Sequence, residues 1–203
     1  MRKLLLATNN QGKIREIKSL LADLPFDILT INEVKTPSLL KNIQETGATF
    51  SQNASIKAKT CAAATQLLTL ADDSGLKIDA LGGQPGIQSA RFVPGPDATR
   101  YSRILKLMKG IPHHKRTARF KAAVAIHNPQ TGDTTIFEGK TEGWITTKPR
   151  GTYGFGYDPI FYSAELGKTF GEAGLTEKNR VSHRARALRQ ARAFLCKLST
   201  TTV

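Results

Sequence analysis

Residues 1–24, MRKLLLATNNQGKIREIKSLLADL, decide the fold class. Met1 to Thr8 predicts a short buried strand, and Asn9 to Gly12 predicts a polar turn. From Lys13 onward apolar side chains recur at helical spacing until Pro25 ends the pattern, at Ile14, Ile17, Leu20, Leu21 and Leu24. A strand, a polar loop and a helix in that order indicate an α/β fold.

The rest of the chain continues to alternate strands and helices. A second helix is predicted after Thr49, and an apolar strand over Leu68–Ala71 is predicted to end directly on Asp72 and Asp73. The other predicted elements are an ordered loop over 81–96, a helix over 97–109, hairpin strands over 117–127 and 134–145, and a helix over 182–198. Because a hairpin is antiparallel and isolated strands need crossover helices, we predict a mixed sheet flanked by helices. We expect one domain over residues 1–203, with a frayed tail from about residue 199.

Composition excludes several classes of protein. Hydrophobic residues make up 39% and charged residues 23% of the 203 positions, which fits a folded globular chain rather than a disordered or collagen-like one. The apolar run Leu4–Ala7 is far shorter than the roughly 20 residues that span a bilayer, so we predict a cytoplasmic protein with no membrane partner. Cys61 and Cys196 lie far apart without a CxxC pattern, so neither a disulfide framework nor a zinc site is predicted.

The net charge of +14 is concentrated in two stretches without acidic residues, Ala98–Gly132 and Lys178–Val203. A field of this sign attracts polyanions, whether nucleic acid, acidic membranes or nucleoside triphosphates. The simpler interpretation is an ordinary solvated basic face. Charge therefore narrows the ligand class without selecting one.

The turn Thr8-Asn9-Asn10-Gln11-Gly12-Lys13 is a candidate phosphate site. It places a hydroxyl, three amides and a lysine where a helix begins, and the N–H groups at a helix start favour anions. It lacks the GxxxxGK[ST] pattern of a Walker A loop, and a capped helix start is the simpler interpretation of the turn by itself. On the second helix, Asn53 and Lys57 stand four residues apart, so they share a face and can point at one ligand.

Three carboxylates stand out in this cationic chain. Glu45 precedes the second helix, and Asp72 and Asp73 are predicted to follow a strand. Clustered acids are costly unless a cation or a general-base role compensates, and one or two carboxylates with substrate phosphate oxygens suit Mg²⁺. For Asp72-Asp73-Ser74-Gly75 by itself, capping of the following turn is an equally good interpretation.

Two further segments carry groups suited to recognising a nucleotide. Gly151–Pro159 combines glycines with two aromatic rings and one carboxylate, which can stack a base and bond its edge, although a tight turn with core aromatics has the same composition. His183 and Arg184 begin the last predicted helix after Ser182, its candidate N-cap, and can donate to a carbonyl. Lys178 can neutralise phosphate, while ordinary surface polarity is the simpler explanation of these side chains. No Ser-His-Asp or Cys-His pattern predicts a covalent nucleophile.

Taken together, these segments resemble the inosine triphosphate pyrophosphatase family, the dITP/XTP pyrophosphatases that remove non-canonical purine nucleotides. The matching segments occur in the same order as in the family and at nearly the same spacing. They are Leu5–Lys13, ETGATFSQNASIKA (45–58), ADDSGLKIDALGGQPGIQSARF (71–92), GFGYDPIF (154–161) and EKNRVSHRARAL (177–188). Residues 92–95 and 173–174 depart from the family's pattern, but neither stretch is assigned to chemistry.

The resemblance implies an elongated α/β fold with a nucleotide cleft between two lobes, commonly a homodimer. It implies magnesium-dependent hydrolysis of ITP, dITP or XTP to the monophosphate and pyrophosphate. Carried over by position, Glu45 and Asp73 would hold the metal, and Asp73 would be the catalytic proton acceptor. The implied phosphate ligands are Thr8, Asn9, Asn10, Gln11, Gly12, Lys13 and Lys57. The implied contacts to the rest of the nucleotide are Ser74, Phe155, Gly156, Tyr157, Asp158, Lys178, His183 and Arg184.

Two other functions stay open at this point. The same net charge is typical of a non-catalytic nucleic-acid-binding module, and one predicted helix carries Arg184, Arg186, Arg189 and Arg192. Against that module, a phosphate-binding groove has no use for the acids at Glu45, Asp72 and Asp73 without a metal. A Maf-like pyrophosphatase shares the general architecture but usually begins with a Ser-rich, Arg-rich loop, which this chain lacks. We therefore predict at most weak, non-specific nucleic-acid binding.

Overall fold

The computed structural model describes residues 2–34 and 43–200. Their strands are β1 (Arg2–Leu6), β2 (Phe26–Thr30), β3 (Leu68–Ile78), β4 (Thr117–His127), β5 (Thr134–Ile145), β6 (Phe161–Ser163) and β7 (Lys168–Thr169). Their helices are α1 (Gln11–Leu20), α2 (Phe50–Thr65), α3 (Asp97–Leu107), α4 (Leu175–Val181) and α5 (His183–Thr200). No helix among these residues is both long and apolar enough to cross a membrane.

The strands form one seven-stranded sheet in the order β2-β1-β3-β4-β5-β6-β7. β1 is parallel to β2 and to β3, as expected for strands joined through helices, whereas β6 is antiparallel to both β5 and β7. The predicted α/β fold with a mixed sheet is confirmed.

The chain forms two compact units, each with its own apolar core. Unit 1 comprises the described residues of 1–73, 122–139 and 184–203, and unit 2 comprises Ser74–Lys121 and Lys140–His183. Unit 1 is built on the completely buried side chains of β1, α1, β3 and α5, among them Leu4, Leu6, Ile17 and Leu188. Unit 2 is built around Leu76, Ile104, Phe161 and Phe170. Each unit therefore provides a rigid frame for the polar side chains that it carries.

Strand β3 corrects one expectation from the sequence. The strand was predicted to end at Ala71, but it continues through Asp72 and Asp73 to Ile78. Polar residues can stay in a buried strand when their charges are compensated, and cations contact both carboxylates here. Successive side chains of a strand point to opposite faces, so the two acids leave β3 in different directions. They are parts of a strand and not of the loop that the sequence suggested.

The other boundaries agree with the sequence to different degrees. β4 and β5 have the predicted bounds, and the polar turn over 128–133 joins them. α1 begins at Gln11 and ends at Leu20, and α3 ends at Leu107, so both stop short of the predicted ends. β2, β7 and α4 were not predicted, because each is short and has weak periodicity. α5 extends to Thr200, and the remainder of the predicted frayed tail lies outside the described residues.

Candidate active site

The turn before α1 is fixed by its own side chains. The Asn10 carboxamide oxygen accepts a hydrogen bond from the Lys13 N–H at 3.0 Å, which makes Asn10 the N-cap of the helix. The Asn10 N–H in turn donates to the Thr8 hydroxyl at 3.2 Å. Asn9, Asn10 and Gln11 are exposed, whereas Gly12 is buried. The predicted phosphate turn thus exists as an ordered helix start, and its ligand remains a prediction.

Lys57 brings together two acids from separate parts of unit 1. Its ammonium lies 2.6 Å from Glu45 Oε1 and 3.0 Å from Asp73 Oδ1, and it donates to the Asp72 carbonyl at 2.9 Å. Burial by itself would lower the pKa of Lys57, but the charges of Asp73 and Glu45 outweigh it and raise the pKa. The two acids predicted to serve a metal therefore share one cation.

Asp73 has an oxygen available for a ligand. Its Oδ2 is buried and has no hydrogen-bond partner in the described part of the chain. Burial raises the pKa of Asp73 against the opposing charges of Lys57 and Lys13, so the carboxylate lacks full compensation. A buried, under-compensated acid oxygen is suited to a metal ion or to accepting a proton.

The acids can hold a metal ion only together with other donors. Within residues 2–34 and 43–200, no three His, Cys, Asp or Glu side chains are grouped so as to hold one. Mg²⁺ commonly binds through one or two carboxylates and completes its shell with substrate phosphates and water. Glu45 and Asp73 fit this requirement, and they do not fit a metal that needs a complete protein cage.

Asp72 belongs to a separate buried charge network. Its Oδ2 lies 2.6 Å from the Lys13 ammonium, and its Oδ1 accepts from Arg184 Nε at 3.1 Å. Burial favours a high pKa, but Arg184 and Lys13 hold the pKa of Asp72 well below its usual range. Arg184 also pairs with Glu16, and the two acids raise its pKa despite burial. Asp72 is therefore neutralised by protein groups.

This network changes the interpretation of Arg184. The sequence suggested that its guanidinium reads a base carbonyl, yet the side chain is 2% exposed and donates to Asp72 and Glu16. Sequence reasoning missed Glu16, whose signal is an acidic residue between the inward-facing Ile14 and Ile17 of α1. The structure shows the Arg184 guanidinium engaged with Asp72 and Glu16, and contact of Arg184 with a base stays a prediction.

The glycine-rich segment of unit 2 forms a loop held from several sides. Asp158 accepts a hydrogen bond from the Phe155 N–H at 2.8 Å and pairs with the buried Lys178 ammonium. That ammonium also lies 4.8 Å from the centre of the Phe155 ring. At Gly154, φ is +74° and an added Cβ would meet an Asp158 carboxylate oxygen at 2.0 Å, so only glycine fits.

Two contacts that the sequence did not reveal fix the same loop. The Gly156 N–H donates to Asp97 Oδ2 at 2.6 Å, and the Tyr157 hydroxyl donates to the Ser89 carbonyl at 2.8 Å. Tyr157 is therefore an anchor, whereas Phe155 is half-buried. His183 is 3% exposed and stacks on Phe120 with ring centroids 4.6 Å apart. Residues 151–159 thus form an ordered loop, and its contacts to a nucleotide remain predictions.

Comparison with known proteins shows which family the chain belongs to. The model of the Ham1 family matches residues 4–194 of the 203. The chain belongs to the Ham1 family. This confirms the resemblance inferred from the sequence motifs, because relatives of the chain are named dITP/XTP pyrophosphatase.

Relatives of this Ham1 family chain are similar over nearly their whole length. The dITP/XTP pyrophosphatase of Symbiobacterium thermophilum is 48% identical over 92% of this chain and 91% of its own. That of Bacillus subtilis is 42% identical over 96% and 98%. Among solved structures, a HAM1 protein from Coxiella burnetii is 38% identical and matches with a TM-score of 0.85 over 97% of this chain and 100% of its own.

Proposed function

We propose that this chain hydrolyses non-canonical purine nucleoside triphosphates, such as ITP, dITP and XTP, to the monophosphate and pyrophosphate, with Mg²⁺ as the metal. The observation that carries the proposal is the pair of acids on Lys57, together with the unbonded Oδ2 of Asp73. The dITP/XTP pyrophosphatases that are 42–48% identical to this chain support the same activity. A nucleic-acid-binding module gives this acid pair no role.

The reaction is assigned to the side chains of unit 1. Lys57 and the turn from Thr8 to Lys13 bind the phosphates. Glu45 and Asp73 would hold the metal ion, which would neutralise phosphate charge and make water at the site more acidic. Asp73 accepts a proton from the attacking water. The water oxygen bonds to the α-phosphorus as the bond to the bridging oxygen breaks, and pyrophosphate leaves.

By the family resemblance, contacts to the base and sugar are assigned to the loop around Gly156 and to residues of the neighbouring motifs. The half-buried ring of Phe155 offers a stacking face, while Tyr157 and Asp158 keep the loop around Gly156 in place. The other assigned contacts are Ser74, Lys178 and His183. Arg184 acts through Asp72 in this scheme, because its guanidinium is engaged with acids. The family resemblance further implies a homodimer, and the short apolar run Leu4–Ala7 is the reason that we propose a cytoplasmic protein.

ITP and XTP, whose bases carry an oxygen at position 6, are expected to be hydrolysed at least about 100-fold faster than ATP, measured as kcat/KM. Donors from His183 and the nearby backbone can bond a carbonyl oxygen, whereas the amino group of adenine leaves them unpaired. Pyrophosphate release is measured for ITP, XTP, GTP and ATP, with and without Mg²⁺. GTP shares the 6-oxygen, so its rejection is assigned to steric closure by residues 151–159.

Equal kcat/KM for ITP and ATP would contradict this selectivity. A His183→Ala variant separates the causes, because ITP preference that survives in it places the selectivity in the loop backbone. Turnover of ITP that needs no divalent metal would contradict the metal assignment. Release of single phosphate ions in place of pyrophosphate would contradict attack at the α-phosphorus.

Nucleic-acid binding is expected to be weak, independent of sequence and steeply dependent on salt. Two arginines of the basic helix α5 already form ion pairs with acids of the chain. Arg184 contacts Asp72 and Glu16, and Arg192 contacts Asp23. The remaining surface charge can release counterions from a phosphate backbone but has no base-reading pattern. Fluorescence anisotropy with two unrelated DNA duplexes from low to physiological salt measures the effect. Tight binding of one duplex at physiological salt would restore the nucleic-acid-binding interpretation.

A further inference from the structure

Asn53 is a buried polar residue that the proposed reaction does not use. It is 1% exposed on α2 and lies one helical turn before Lys57, so both side chains occupy the same face of the helix. Its carboxamide oxygen accepts a hydrogen bond from the Gly47 N–H at 2.8 Å. Gly47 is two residues from Glu45, so the loop that carries Glu45 is tied to the face of α2 that carries Lys57.

The two halves of the Asn53 amide have unequal surroundings. Because the Gly47 N–H is a donor, the atom that faces it has to be the oxygen. The nitrogen, Nδ2, is buried and has no hydrogen-bond partner among the described residues. An unsatisfied buried N–H is destabilising, and an apolar residue of similar size would avoid it. An asparagine at position 53 therefore adds little stability compared with an apolar residue of similar size. What it supplies is the hydrogen bond to Gly47.

The loop approaches α2 too closely for any residue but glycine at position 47. A Cβ on Gly47 would lie 2.6 Å from the Cβ of Gln52 and 2.7 Å from Asn53 Oδ1. The N-terminus of α2 is fixed independently, because the Thr49 hydroxyl accepts from the Gln52 N–H at 3.1 Å. The loop is thus held at Gly47 by Asn53 and at Glu45 by Lys57, and each contact starts from the same helix.

We propose that Asn53 is a positioning residue that holds the Glu45 carboxylate beside Asp73 for the metal ion. This inference rests on the proposed function, since it assumes that Glu45 is a metal ligand. Asn53 itself touches neither metal nor substrate in this scheme. It acts through the Gly47 N–H, in the way that outer hydrogen bonds orient the ligands of metal sites in general.

Asn53→Leu tests the proposal, because it removes the acceptor and keeps a similar size. The affinity for Mn²⁺, used as a spectroscopic probe, is expected to fall by about 10-fold or more, the range for lost outer-shell partners. Mn²⁺ binding is measured by electron paramagnetic resonance without turnover. Hydrogen exchange of the Gly47 amide is expected to accelerate, while kcat for ITP at saturating Mg²⁺ changes less than the metal affinity does.

Gln52→Ala is the matched control. Gln52 makes a parallel contact to the same loop, accepting from the Ala48 N–H at 2.7 Å, but Gln52 is exposed, and Ala48 is one residue further from Glu45 than Gly47 is. It is expected to leave Mn²⁺ affinity within about 2-fold, below the outer-shell range. Asn53→Asp keeps an acceptor and is expected to restore slow exchange of the Gly47 amide.

Three results would overturn the inference. They are unchanged Mn²⁺ affinity in folded Asn53→Leu, an equal loss of affinity in Gln52→Ala, and fast Gly47 exchange in Asn53→Asp. If Asn53→Leu does not fold, Gly47→Ala displaces the same loop and is expected to weaken Mn²⁺ binding similarly, and unchanged affinity there also counts against the inference. The proposed function fails on a different result, a wild-type protein that binds Mn²⁺ but releases no pyrophosphate from ITP.

Discussion

Asp73→Asn is expected to lower kcat for ITP at least about 100-fold while the protein stays folded. The amide has neither the charge to hold a metal ion nor the basicity to accept a proton from water. Its size is unchanged, and its oxygen can keep the 3.0 Å contact with Lys57. Burial already disfavours the charged form of Asp73, so loss of the charge removes little stability. Pyrophosphate release at saturating ITP and Mg²⁺ measures kcat, and circular dichroism reports the fold.

Asp133→Asn is the matched control for this substitution. Asp133 is exposed in the turn between β4 and β5, and the same change of charge there is expected to leave kcat within about 2-fold, since surface changes of this kind have small effects. Near wild-type turnover in folded Asp73→Asn would remove Asp73 as the proton acceptor. Glu45 would then be the next candidate, because it contacts the same lysine.

Asp72→Ala is expected to lower the free energy of unfolding by about 3–5 kcal/mol, the usual cost of breaking a buried ion pair by removing one partner. The substitution takes a carboxylate from the buried Arg184 and the half-buried Lys13 of unit 1. Asp72→Asn keeps the size and one acceptor oxygen, so its loss of stability is expected to be smaller. Urea denaturation of the three proteins at pH 7 measures the difference. Equal stability of wild type and Asp72→Ala would show that the network contributes nothing.

The contribution of the Asp72 carboxylate to the free energy of unfolding depends on pH. The pKa of folded Asp72 lies well below that of an unfolded aspartate, so its contribution is fully present above the unfolded pKa of about 4. The contribution is lost as the pH falls below that value towards the folded pKa. Wild-type stability is therefore expected to decline more steeply than that of Asp72→Asn from about pH 4 downward. Parallel declines would assign acid sensitivity to other carboxylates.

The sequence predicted those features that local patterns encode. The bounds of β4 and β5 follow from alternation on both sides of a polar turn, and the start of α2 follows from Thr49 as its cap. The family motifs predicted Glu45 and Asp73 as joint metal ligands. Their shared contact with Lys57 was not predicted, because a contact between a loop, a helix and a strand has no local signature.

Long-range charge pairing accounts for most of what the sequence did not reveal. β3 was expected to end before Asp72, since two consecutive acids normally interrupt a buried strand. Arg184, 112 residues away, is what makes that acid acceptable in the interior. No window of sequence contains both partners. The same holds for Asp97 and Gly156, which lie 59 residues apart and fix the loop of unit 2.

The pairing of Glu16 and Asp72 with Arg184 also has a consequence for biosynthesis. Glu16 and Arg184 are separated by 168 residues, and at about 5–20 residues per second a ribosome needs roughly 10–30 s to make that length. Both acids are synthesised before the guanidinium that permits their burial. The helix that carries Arg184 therefore completes unit 1, and nascent chains that stall before Arg184 expose an incomplete unit 1 to chaperones and proteases.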